Sequence, residues 1–179
     1  IDDFAIISPV NTDPNHPNYK SSNKSFKQNI IEADSVDGFA MLINKKKFEE
    51  NNFFDENFFL FLENDDLCKR TKILGNNIYV IKNAFIDHKG FSSSTKIDKD
   101  ELEYLRNWHW MWSKFYFNKK HNGFFQAFIF ILPSFFSSIL KILLFTLLLN
   151  NKKRKIYQFR FFGILNSIIG KTSWYRIKD

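Results

Sequence analysis

The sequence has little of several residue types that mark specialised classes of protein. Cysteine occurs once, at Cys68, so an internal disulfide is impossible and a reducing compartment is favoured. Six glycines and four prolines in 179 residues exclude a collagen-like or Gly/Pro-rich disordered chain. No initiator Met or secretory leader opens the chain, so we expect a fragment of a longer protein. Its hydrophobic content of 44% is enough for a real core.

Acidic residues are missing from one long stretch, between Glu103 and Asp179. Residues 1–100 hold 13 Lys and Arg against 16 Asp and Glu, a net charge of −3, whereas residues 101–179 hold 13 against 3, a net charge of +10. This asymmetry predicts two regions with different tasks. The basic residues are interleaved with long aliphatic runs rather than with groove-reading patterns, so we expect no nucleic-acid partner.

The hydrophobic pattern predicts strands that alternate with helices in the first region, which indicates an α/β domain. We expect a long surface loop over residues 11–29, a turn at Gly38, and left-handed residues that close two helices at Asn52 and Gly75. The expected strands are 4–10, the segment after Gly38, 78–81 and 84–88, and the expected helices are 45–51, 64–74 and 100–119.

A cluster of acids opens the second of these helices. Glu63, Asp65 and Asp66 stand at its N-terminus, and His88 follows at the end of a predicted strand. Such a set can hold a divalent cation or supply a general base. It can equally be structural, because acids stabilise the positive end of a helix and pair with basic residues four positions later. Residue type and spacing leave both interpretations open.

Several short motifs occur in one order over residues 4–123. They are Asp37-Gly38-Phe39, then Phe54-Asp55-Glu56, then Glu63-x-x-Asp66-Leu67-Cys68-x-Arg70, and finally His88-x-Gly90-x-Ser92. This ordered set resembles the second half of family 2 glycosyltransferases, and the rhamnosyltransferase-like branch in particular. The resemblance implies the C-terminal half of a GT-A (Rossmann-like) domain over residues 1–123, followed by membrane-associated helices over residues 124–179.

The resemblance also implies a function. An inverting transferase moves a sugar from a nucleotide-sugar donor to an acceptor, here a cell-envelope polysaccharide or a lipid-linked glycan. It needs a carboxylate base for the acceptor hydroxyl, and a divalent cation (Mg or Mn) to offset charge on the leaving nucleoside diphosphate. Glu63 is the first candidate for the base, Asp66 the second and Asp65 the third, and His88 is the candidate metal ligand. The candidate substrate-binding residues are Asp37, Gly38, Phe39, Asp55, Glu56 and Arg70.

The sequence departs from the family pattern at several points. Asn64 stands where a Glu-Asp pair is usual, and an amide cannot act as a carboxylate base. Asn52 and Phe53 replace glycines before Phe-Asp-Glu. The nucleotide-binding half and its Asp-x-Asp metal motif are expected outside this chain, so we expect the chain to be inactive by itself. A non-catalytic membrane-associated module, either a degenerate or a truncated transferase, is the alternative.

Residues 124–149 form an apolar segment that exceeds the roughly 20 residues needed to cross a bilayer. Pro133, a group of serines and Lys141 interrupt it, and a basic cluster at 152–155 and an apolar stretch at 159–169 follow. Three interpretations are open. The segment could be part of a pair of core helices, a single span with the basic cluster in the cytoplasm, or a broken helix in the membrane interface. The last two predict the cytoplasmic face of the cell membrane.

Overall fold

The computed structural model describes residues 3–22, 26–27, 29–48, 53–88 and 98–177. The chain is mixed α/β and divides into two compact units, Ile1–Asp55 with Glu63–Ser93, and Glu56–Leu62 with Ser94–Asp179. The division at residue 123, which we drew from composition and the resemblance, stays a prediction. The predictions for Asn52, Gly90 and Ser92 fall outside the described residues.

The first unit, here called the sheet unit, contains a mixed β-sheet. Its described strands are β1 (Ile6–Asn11), β2 (Tyr19–Lys20), β3 (Phe26–Lys27), β4 (Ile30–Glu32), β5 (Ser35–Val36), β6 (Leu42–Ile43) and β7 (Ile78–Ile86). Within the described ranges, five strands pair in the order β3-β4-β7-β1-β6, and β2 pairs with β5 separately. The β1–β7 pair is parallel and the other pairs are antiparallel.

Two sequence predictions about strands are wrong. The segments 78–81 and 84–88 form one strand, β7, because the polar residues between them lie in a β-bulge rather than a turn. Pro9 of β1 faces Ile81, whereas the next residue, Val10, faces Phe85. The expected loop over residues 11–29 contains β2 and β3, whose two-residue lengths are too short to leave an alternating pattern.

Helix α1 (Glu63–Ile73) confirms the helix expected at 64–74. Gly75 ends it at φ +73°, with Gly75 N–H donating to the Lys72 carbonyl (3.0 Å) and Asn76 N–H to the Thr71 carbonyl (3.1 Å). This is a Schellman cap, as the glycine predicted. The helix expected at 45–51 is a single 3₁₀ turn, Lys45–Lys47, over its described residues.

The core of the sheet unit forms between one face of the sheet and α1. The residues that build it are Ala5, Ile6, Ile31, Ala33, Val36, Leu67, Cys68, Ile78 and Val80. Cys68 is fully buried and donates a weak hydrogen bond to the Val36 carbonyl (Sγ···O 3.9 Å). Burial raises the pKa of its thiol to about 11. The thiol therefore serves as a small apolar core group.

The second unit, here called the helical unit, contains α2 (Lys99–Asn122), α3 (Phe124–Leu147) and α4 (Asn151–Ile168). Met111, Phe115, Ala127, Ile131 and Ile164 form its core. α3 continues through Pro133, and the chain reverses at Leu148–Asn150 instead. The break that we associated with the proline is therefore absent, because packing on both neighbouring helices outweighs the loss of one backbone donor.

α2 and α4 run side by side in the same direction at close approach. The Tyr104 and Phe159 rings stack at 5.2 Å, and further along Ser167 Oγ donates to the Trp112 carbonyl at 3.0 Å. Gly163 lies at the tightest point, where an added Cβ would be 2.3 Å from the Trp108 carbonyl oxygen. A glycine is required there because any larger residue would separate the two helices.

Candidate functional site

The start of α1 is fixed to β5 and packs against the turn that follows it. Asn64 Nδ2 donates to the Val36 carbonyl at 2.9 Å. Gly38, in the turn just beyond, lies beside it, since an added Cβ would be in van der Waals contact with Asn64 Cβ at 3.4 Å. The structure thus brings together two motifs that the sequence separates, Asp37-Gly38-Phe39 and the acidic start of α1. The amide at position 64, the main departure from the family pattern, is engaged in this contact.

Glu63, the first residue of α1, carries an unusual carboxyl group. Its Oε2 atom is buried and has no hydrogen-bond partner among the described residues. Burial raises the pKa of Glu63 above its usual range; a hydrogen bond from its own backbone N–H opposes this shift, and the negative charge of Asp65 adds to it. A carboxylate with one unpartnered oxygen and a raised pKa is a better proton acceptor than an ordinary surface glutamate.

Asp66, three residues further on, differs from Glu63 because its carboxylate is paired with a basic side chain. Its side chain is fully buried, and its Oδ2 accepts a hydrogen bond from Arg70 Nε at 2.9 Å. The Arg70 guanidinium also donates to the Phe53 carbonyl. Asp66 and Arg70 therefore join α1 to the segment before it. An aspartate held in this way by a guanidinium is suited to positioning rather than to proton transfer.

Asp37 lies close enough to Asp65, Lys20 and His88 to interact electrostatically with each of them. Burial and the negative charge of Asp65 raise the pKa of Asp37, and Lys20 and His88 act in the opposite direction. Lys20 Nζ lies 3.6 Å from Asp65 Oδ1. The His88 ring stacks on Phe39, with centroids 4.1 Å apart and planes 3° from parallel. The structure thus gathers acids, a lysine and a flat aromatic pair.

Two other candidates are placed differently. Asp55 is half-buried and belongs to the sheet unit, whereas its neighbour Glu56 is exposed and belongs to the helical unit. Their role in substrate binding stays a prediction.

The backbone just before Glu63 is strained. Phe61 and Leu62 adopt φ values of +68° and +67°, which are costly for bulky side chains. Within the helical unit, Ser113 Oγ donates to the Leu60 carbonyl at 2.7 Å, and the Phe61 ring packs edge-on against Trp110 at 5.5 Å. Strain that is held by such contacts is concentrated at functional sites in proteins.

The described residues do not complete a metal site. In the part of the chain that the structure describes, no group of three His, Cys, Asp or Glu side chains is arranged to hold a cation. His88 and the neighbouring acids could supply part of a ligand set. The assignment of His88 stays a prediction.

Sequence reasoning missed Lys20, the strained pair Phe61–Leu62 and the role of Asn64. Lys20 lies in a segment expected to be a loop, and nothing in the sequence links it to Asp65, 45 positions away. Positive φ angles at Phe and Leu leave no signal, since these residues rarely adopt them. For Asn64, a short polar residue at a helix start was a signal of local hydrogen bonding.

Comparison of the chain with protein-family models, with curated proteins and with solved structures gives no match.

Proposed function

We propose that this chain is the acceptor-side portion of an inverting glycosyltransferase of the GT-A, family 2 type. It would act in the transfer of a sugar from a nucleotide-sugar donor to a cell-envelope polysaccharide or a lipid-linked glycan. The observation that carries the proposal is Glu63, whose buried carboxylate oxygen has no partner among the described residues and whose pKa is raised by burial. A pKa raised toward the working pH and an oxygen free to accept a proton are properties that favour a general base.

The surroundings of Glu63 support the same chemistry. The Phe39–His88 stack offers a flat aromatic surface beside the acids, of the kind on which a sugar ring or a nucleobase packs. The Asn64–Val36 hydrogen bond holds this surface against the start of α1. Preorganised groups of this type lower the entropic cost of aligning the acceptor with the base.

The order of the two candidate bases follows from their contacts. Glu63 is unpaired at Oε2, whereas Asp66 is held by Arg70 and fully buried. We therefore assign proton abstraction to Glu63 and positioning of α1 to Asp66. No step is assigned to a metal ion, because the described residues do not form a complete site for one.

The alternative function is a non-catalytic membrane-associated module. Asn64 favours it, because the amide replaces one of the usual acids and is used to tie two segments together. In such a module the acidic cluster would only stabilise the N-terminus of α1, and Glu63 would have no chemical role.

The two functions are separated by sugar transfer measured with the whole reading frame that encodes this chain. The assay detects nucleoside diphosphate released from UDP-, GDP- and dTDP-sugars, with membrane extracts as acceptor. We expect Glu63→Gln to lower turnover by about 10²-fold or more, the contribution of a general base, with little change in KM. Asp66→Asn should instead lower thermal stability, because it weakens the bond to Arg70.

The control is Glu32→Gln, which removes a carboxylate that pairs with Lys72 at 2.8 Å on another part of the sheet unit. It should leave turnover unchanged. Undiminished turnover in Glu63→Gln would remove Glu63 from the reaction. A wild-type reading frame that releases no nucleoside diphosphate from any of these donors would favour the non-catalytic module.

A further inference from the structure

One face of α3 is a continuous apolar surface that the protein itself leaves exposed. Its members recur at spacings of three and four residues and so share one side of the helix. They are Phe125, Ile129, Pro133, Phe136, Leu140, Leu143, Leu144 and Leu147, here called the outward stripe. Phe125 is 74% exposed, Leu140 66% and Leu147 82%. No charged residue interrupts this stripe over a helix about 36 Å long.

The opposite face of α3 is packed inside the helical unit. Ala127 and Ile131 are fully buried in its core, and Ser138 is almost so. The Phe135 ring lies 5.1 Å from Phe161 of α4, and Phe124 lies 5.8 Å from Phe115 of α2. α3 is therefore neither an isolated helix nor a core helix surrounded by protein.

Length and composition would allow α3 to cross a bilayer. Among the described residues it is the one helix that meets this condition, and only 11% of its most apolar stretch is buried. The low burial argues against the hypothesis that α3 is an ordinary core helix. It leaves two arrangements, a helix that crosses the membrane and a helix that lies in its surface.

The neighbours of α3 decide between these arrangements. Phe135 is midway along α3 and packs on Phe161, and the adjacent Arg160 donates to Asn107 of α2 at 3.1 Å. Lys114 of α2 lies over the Phe130 ring, 5.0 Å from its centre. If α3 crossed the bilayer, these charged groups would be carried toward the hydrocarbon centre, where charge is strongly disfavoured.

Basic side chains lie beside the outward stripe, where a helix in the membrane surface would meet the headgroups. Lys141 is exposed on α3 itself, with its ammonium 4.8 Å from the centre of the Tyr157 ring, and Lys153 of α4 lies 5.3 Å from the Phe145 ring. Long basic side chains beside an apolar stripe can keep their charge among lipid headgroups while the stripe is buried. The absence of acids between Glu103 and Asp179 leaves this region strongly positive.

We propose that α3 lies in the plane of an anionic membrane, with the outward stripe inserted among the lipids and the inner face held by α2 and α4. The partner is the bilayer surface itself. Binding combines burial of the stripe with attraction between the basic residues and anionic headgroups. This proposal concerns the helical unit and does not depend on sugar transfer.

The first test is flotation of the 179-residue chain with vesicles of phosphatidylcholine, with and without phosphatidylglycerol. We expect strong binding to the anionic vesicles. The double variant Leu140→Asp/Leu143→Asp should reduce the bound fraction by about tenfold or more, because it places charges in the stripe. The matched control is Leu74→Asp, which changes an equally exposed leucine at the end of α1 (67%). It should bind as the unmodified chain does.

The second test reports whether α3 crosses the bilayer. Single cysteines at Asn122 and Asn151, which bracket α3, are labelled with a membrane-impermeant maleimide in spheroplasts and in inverted vesicles of an expressing bacterium. Native Cys68 contributes little background because it is fully buried and its pKa is about 11. A helix in the membrane plane gives labelling of both cysteines in the same preparation.

Three results would overturn the proposal. Labelling of the two cysteines in opposite preparations would show a transmembrane span. Failure of the chain to float with anionic vesicles would show that the stripe does not bind lipid. A dimer in sedimentation that Leu140→Asp/Leu143→Asp converts to a monomer, without vesicle binding, would show that a second copy covers the stripe.

Discussion

His109 shows how a single polar residue stabilises the helical unit. The ring is fully buried on α2, with Nε2 2.8 Å from the Tyr175 carbonyl and Nδ1 2.8 Å from Ser173 Oγ. A carbonyl can only accept, so Nε2 carries the proton and Nδ1 accepts from the serine hydroxyl. The neutral ring thus anchors the C-terminal segment to α2.

This environment makes the helical unit sensitive to acid. Burial lowers the pKa of His109 to about 4, below the value near 6.5 of an unfolded chain. Between these values the unfolded state binds more protons, so stability is lost as the pH falls from 6.5 toward 4. We expect a loss of up to about 3 kcal/mol, since each pKa unit corresponds to about 1.4 kcal/mol. Thermal melts across this range measure it.

The comparison for this prediction uses two glutamine variants. His109→Gln preserves a donor and an acceptor but does not titrate, so its melting temperature should fall less steeply with acid. His16→Gln changes an exposed histidine of the sheet unit and should keep the full loss. Equal slopes in all three proteins would show that His109 does not cause the acid sensitivity.

At the scale of an element, α3 ends in a hydrogen-bonded cap at Leu149. Leu149 N–H donates to the Thr146 carbonyl (3.2 Å) and Asn150 N–H to the Phe145 carbonyl (3.0 Å), which is the same cap that Gly75 makes after α1. The left-handed position is occupied by leucine at φ +52°. A bulky residue in this conformation costs roughly 1–2 kcal/mol relative to its preferred backbone region.

Replacing the leucine should therefore stabilise the helical hairpin. We expect Leu149→Gly to raise the free energy of unfolding by about 1 kcal/mol, because glycine adopts positive φ without strain. Leu148→Gly is the matched control, since Leu148 is also exposed but has φ −81° and should lose stability instead. Urea denaturation measures both. A loss of stability in Leu149→Gly would mean that its apolar contacts outweigh the backbone strain.

The elements that the sequence predicted well are those with strong local signals. α1 and its cap follow from helical periodicity and Gly75, and α2 follows from apolar residues at helical spacing. β2 and β3 were missed because two residues carry no periodicity, and β7 was divided because Lys82-Asn83 is a turn signal when seen alone. The sequence ranked Glu63 before Asp66 but gave no contact for either. The Asp66–Arg70 hydrogen bond depends on side-chain geometry, which the sequence does not show.

At the scale of the whole molecule, net charge differs between the two parts of the sequence, −3 over residues 1–100 and +10 over residues 101–179. The positive C-terminal region predicts that binding to anionic vesicles weakens as salt increases, because screening reduces attraction between exposed charges and lipid headgroups. Lys153→Gln/Lys155→Gln should weaken this binding by about 2 kcal/mol, roughly 30-fold, at about 1 kcal/mol for each lysine. Vesicle flotation over a salt series measures both effects.

A charge-matched variant separates local from global electrostatics. Lys45→Gln/Lys46→Gln removes the same two charges from the 3₁₀ turn of the sheet unit. It should leave vesicle binding almost unchanged if lipid contact is confined to the helical unit. An equal loss in both variants would mean that total charge, rather than the basic residues beside α3, governs membrane binding.

The hydrogen bond from Asn64 to the Val36 carbonyl also limits which residues position 64 can hold. An aspartate at position 64, which the family resemblance would place there, has no proton to offer the carbonyl at neutral pH. Two acceptors would then face each other, and the start of α1 would lose its tie to β5. Asn64→Asp would therefore need a second change that supplies a donor to the Val36 carbonyl.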